Sequence, residues 1–115
     1  MARSDFKVVH IAHEFTATSP SVTKEFPVEG APIADPGYLL LQIKGVARYT
    51  HKIYINNQEL PDFDLPVAPG QSQAYQLWMD LIPPGYLVAG INTIRIDRVG
   101  NDNFSVRSAV VSWRE

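Results

Sequence analysis

The sequence predicts an all-β domain, and three observations carry that reading. Short runs rich in Val, Ile, Leu, Tyr, Phe and Thr recur along all 115 residues, with apolar and polar side chains alternating inside them. Nine prolines and seven glycines separate these runs as turns do. No amphipathic pattern of 3.6-residue period runs for a useful length. Seven to nine antiparallel strands in one sandwich or barrel spanning 1–115 follow.

Taken in order, the first strand covers Lys7 to Phe15 and turns Val9, Ile11 and Phe15 inward. Val22 to Val28 forms a weaker strand whose Pro27 suits a sheet edge. The stretch from Gly30 to Gly37, with Pro32 and Pro36, is a loop. Tyr38 to Val46 alternates well, with Leu39, Leu41 and Ile43 on one face. His51 to Asn56 directs Ile53 and Ile55 inward and Lys52 and Tyr54 outward. Asn56-Asn57 marks a tight turn, because Asn tolerates positive φ. Glu59 to Leu65 follows as a strand and Pro66 to Gly70 as a loop.

In the next strand Tyr75, Leu77, Met79 and Leu81 share the inward parity, leaving Gln76, Trp78 and Asp80 outward. Pro83-Pro84-Gly85 is a turn, since two prolines donate nothing to a ladder. Tyr86 to Ala89 reads as one helical turn or an extended link. Asn92 to Val99 points Ile94 and Ile96 inward, and Gly100 to Asn103 is a hairpin connection. In the last run Phe104 and Val106 share one parity, while Ala109, Val111 and Trp113 share the other. A bulge near Arg107–Ser108 reconciles the two. The expected core is therefore Val9, Ile11, Leu39, Leu41, Ile43, Ile53, Ile55, Leu77, Ile94, Ile96 and Val106, with Trp113 beside it.

Composition narrows the function. Ten Lys and Arg against twelve Asp and Glu give a net charge of −2, with no concentrated basic surface to suggest a nucleic-acid partner. The absence of cysteine excludes disulfides, thiolate nucleophiles and zinc sites built on thiolates. Apolar runs such as Tyr38 to Leu41 are far shorter than the roughly 20 residues of a membrane-spanning helix. The N-terminal sequence carries no apolar stretch of about 7–15 residues typical of a secretory signal. Cytoplasmic synthesis is the expectation, and export by a signal-independent route is compatible with it.

Catalytic constellations are sparse. His10 and His13 fall on opposite faces of a regular strand, and His51 lies far from both in sequence. No Gly-x-Ser-x-Gly elbow and no glycine-rich phosphate loop occur. Asp62 and Asp64 share a face and could offer hard oxygen ligands to calcium, though a solvated edge strand accounts for them better. Asn101-Asp102-Asn103 resembles a cation loop, yet hairpin turns select the same residue types. No enzyme and no cofactor are expected.

Three segments bear a family likeness. His51-Lys52-Ile53-Tyr54-Ile55-Asn56-Asn57 resembles the strand and turn of galactose-binding-domain-like jelly rolls, small β-sandwiches attached to many glycoside hydrolases. Trp78-Met79-Asp80-Leu81, through Pro84-Gly85, to Ile91-Asn92-Thr93-Ile94-Arg95-Ile96 resembles that family's loop ending in a conspicuous Asn before a core strand. Phe104-Ser105-Val106 to Val111-Ser112-Trp113 resembles its closing strand. The likeness runs from Tyr38 onward, with Asn57 in place of the usual glycine and Leu87 to Gly90 lengthening the approach to Asn92. It implies a carbohydrate-binding-module-like jelly roll whose relatives bind glycans or hold a larger protein together.

Two functions compete on this basis, both non-catalytic. One is a structural or assembly subunit acting through protein contacts, including contacts with further copies of itself. The other is a carbohydrate-binding module that stacks a sugar on an outward aromatic. Trp78 and Tyr54 are the aromatic candidates for either role, with Gln76, Asn56 and Arg48 as polar neighbours.

Overall fold

The computed structural model describes residues 4–33, 35–46, 50–61 and 75–115. Its strands are β1 (Ser4–Phe15), β2 (Ser21–Val28), β3 (Gly37–Lys44), β4 (Lys52–Ile55), β5 (Gln58–Glu59), β6 (Gln76–Ile82), β7 (Gly90–Asp97) and β8 (Phe104–Arg114). No helix occurs among the described residues, and Tyr86 to Ala89 is an irregular link that bends at Tyr86 and Ala89.

Two four-stranded sheets pack face to face, one ordered β1-β8-β3-β6 and the other β2-β7-β4-β5. Every described pair is antiparallel. Among the described strands only β4 and β5 follow one another within one sheet; every other pair of successive strands lies in opposite sheets. This is jelly-roll order, eight strands in two Greek keys. The first and last strands pair along nearly their whole length, from Ser4 opposite Arg114 to Phe15 opposite Phe104.

The core fills the space between the sheets. Ten of the eleven expected core residues are at most 4% exposed, and Phe15, Phe26, Leu60, Ile82, Phe104 and Trp113 join them. The Asn56-Asn57 turn forms with φ of 51° and 66°, the left-handed pair that a two-residue hairpin needs. The bulge expected in the last strand is present. Leu41 lies opposite Ala109 while Ile43 lies opposite Val106, so β8 carries one extra residue there. β1 adds another between His10 and His13, where Ala12 takes φ 46°. Gly37 opens β3 where a Cβ would stand 2.6 Å from the Ser112 carbonyl oxygen, so only glycine permits this approach to β8.

One strand reverses its expected parity. In β6, Leu77, Met79 and Leu81 are 67%, 56% and 51% exposed, whereas Trp78 packs against the core. Tyr75 precedes them with the same outward parity, and Gln76 and Asp80 face inward with Trp78. Register explains the reversal. Trp78 pairs with Leu41, Asp80 with Leu39 and Gln76 with Ile43, all inward residues of β3. β6 is an edge strand, so Gln76 and Asp80 can face inward at the rim and stay partly hydrated. Inward charge on an edge also deters pairing with a further strand. Asp62 and Asp64, the Pro66–Gly70 loop, most of the Glu59–Leu65 strand and Arg48 lie outside the described residues.

Candidate interaction surface

The two outer faces of the sandwich differ in character. On the β2-β7-β4-β5 sheet the outward positions of β4 and β7 are mostly polar, Lys52, Tyr54, Thr93, Arg95 and Asp97 among them, with Ile91 an exposed apolar exception. There the Arg95 guanidinium lies 4.0 Å from the centre of the Tyr54 ring and 3.4 Å from Asp97, and Lys52 meets Glu59 at 3.7 Å. Tyr54 does point outward, as its parity predicts, but its ring is partly covered by Arg95.

The outer face of the other sheet is largely apolar. Strand register aligns Val8, Val110, Leu40 and Met79 in one row across all four strands. A second row holds Phe6, Ser112, Tyr38 and Leu81, and a third consists of the pairs His10–Ser108 and Gln42–Leu77 on either side of the β8 bulge. Phe6 is 62% exposed, and Val8, Tyr38 and the three outward β6 residues are also open to solvent. Within the third row the Ser108 hydroxyl donates to Gln42 Oε1 at 2.8 Å. At one end of the face the Tyr75 ring sits between two cations, Arg107 at 4.0 Å and Lys44 at 4.9 Å.

This face has a sequence signature that simple alternation misses. Val8-Val9, Tyr38 to Leu41, Ala109 to Val111 and Leu77 to Met79 are apolar on both parities. Such continuous runs characterise strands covered on both faces.

The polar candidates have structural occupations. Asn56 donates from Nδ2 to the Tyr86 carbonyl and to Asn92 Oδ1, and its Oδ1 accepts from the Thr93 amide. Asn92, fully buried, accepts from the Val88 amide and donates to the Val88 and Gly90 carbonyls. The two amides fasten the link between β6 and β7 to the second sheet.

The histidines are occupied too. His51 is 1% exposed; its Nδ1 accepts from the Val99 amide at 3.0 Å, which leaves Nε2 protonated and donating to Asp102. His13 Nε2 lies 3.1 Å from both the Ser19 carbonyl and the Ser19 hydroxyl. A carbonyl only accepts, so Nε2 carries the proton there and is no base toward Ser19. Rings of His13, Phe15, Phe104 and His51 run in sequence through that end of the core, with centroids 4.2–4.6 Å apart. His10 stands exposed on the outer face instead. Among the described residues no three potential metal ligands gather.

Residues 4–115 match DUF7383, a family of unknown function. The chain belongs to DUF7383. No curated protein sequence matches it. Among solved structures it is similar to dimeric latent PorU from Porphyromonas gingivalis, with a TM-score of 0.70 at 9% identity. The alignment covers 99% of this chain and 13% of PorU, so the DUF7383 chain corresponds to one small part of that protein. At that identity the likeness concerns the all-β fold.

Proposed function

We propose that this DUF7383 chain is a non-catalytic β-sandwich module that serves as a structural or assembly subunit, docking protein through the outer face of the β1-β8-β3-β6 sheet. The observation that carries the reading is the row Val8–Val110–Leu40–Met79, apolar across the full width of an outer sheet face. The side chains of that face leave roughly 600–700 Å² of surface open, at or above the largest patch on an ordinary monomer. The opposite sheet, with its charged and hydrogen-bonded outer face, supplies the contrast within the same molecule. Non-catalysis accords with His13 and His51, whose ring nitrogens hold structural hydrogen bonds. No cofactor is invoked.

Kinship with galactose-binding-like modules belongs to the same proposal, supported by the jelly-roll order and by Asn92 bracing the loop before β7. The glycan-binding reading has weaker support, since Trp78 turns inward and Tyr54 lies beneath Arg95.

A photo-reactive residue installed at Met79, compared with one at Thr23 on the opposite sheet, tests the docking face in a cell extract. Protein adducts should form from position 79 and not from 23. Equal labelling from both positions, or none from 79, overturns the reading.

A further inference from the structure

We infer that the occupant of this face is a second copy of the chain, packed sheet against sheet about a two-fold axis. The inference rests on the docking face proposed above and names its partner. Area is the first argument. Two such faces meeting would bury on the order of 1,300 Å² in total, within the range of specific, stable protein interfaces.

Charge is the second. The three rows place twelve positions on the face, and none carries Lys, Arg, Asp or Glu. A face bearing net charge of one sign would repel its own image, whereas this one presents none of these charges to a copy of itself. The cations Arg107 and Lys44 stand at the margin, held against the Tyr75 ring.

Shape is the third. The face is the pleated surface of a single continuous sheet, the kind of surface that stacks on another sheet at about 10 Å. A two-fold axis also closes the assembly, because the same patch serves both partners.

Sedimentation equilibrium on the wild type, Met79→Lys, Val8→Lys and Thr23→Lys tests the inference, with circular dichroism checking that each folds. Met79 and Val8 are exposed, on different strands, so at least one variant should retain the fold. The wild type and Thr23→Lys should dimerise alike, and the face variants should raise the dimer Kd at least tenfold. A wild type that stays monomeric to about 1 mM, or a dimer that both face variants leave intact, overturns it. A monomeric wild type whose position-79 probe still captures a different protein retains the docking face and discards the second copy. A monomeric wild type whose probe captures nothing discards both.

Discussion

Asn92 has no exposed surface and makes four hydrogen bonds, two through each amide atom. Its burial is favourable only because every polar atom finds a partner. Replacing it by Ala strands the Val88 amide and two carbonyls and removes one of the three side-chain hydrogen bonds of Asn56. Asn92→Ala should therefore cost about 2–4 kcal/mol in denaturant unfolding. A loss below about 1 kcal/mol would show that water replaces those bonds. The prominence of Asn92 is legible in the sequence, as an Asn at the start of an isoleucine-rich strand. Its bond to Asn56 is not, because 36 residues separate them and only the β4–β7 pairing brings them together.

Strands record their history in bulges. β8 meets β1 and β3 in different registers, and the mismatch is absorbed by extra residues in β8 and β1. The switch of parity within Phe104 to Trp113 makes the β8 bulge readable from sequence. The β1 bulge leaves no such trace, since Val9, Ile11 and Phe15 stay on odd positions throughout. Ala12 takes its φ of 46° there with an exposed side chain, a conformation that burdens any residue with a Cβ. Ala12→Gly should raise stability by about 0.5–1 kcal/mol, the relief of left-handed strain less the entropy of a more flexible unfolded chain. Thermal unfolding reads the change, and a lowered midpoint would contradict it.

At the scale of the whole molecule, stability depends on pairings between distant segments, the first and last strands above all. Among the described strands β8 and β3 are flanked on both sides in one sheet, as β7 and β4 are in the other, while β1, β6, β2 and β5 are edges. Native-state hydrogen exchange should be slowest for amides of β8 and β7, opening only with global unfolding, and faster along β6. Slow exchange throughout β6 would mean that its free edge is paired, which is edge association rather than stacking of faces.

Local alternation and turn chemistry determined the class of fold, most strand positions, the Asn56-Asn57 turn and ten core residues, because one-sided burial imposes a period of two. The orientation of β6 was decided only by tertiary structure. Leu77, Met79 and Leu81 outnumber Trp78 in apolar residues, so parity alone assigns them to the core. Pairing with β3 instead places Trp78 opposite Leu41 and Met79 opposite Leu40. The exposed apolar face follows from the same fact. A strand apolar on both faces does not state which face its own chain covers; the register of its neighbours settles that, and the other face stays open to solvent.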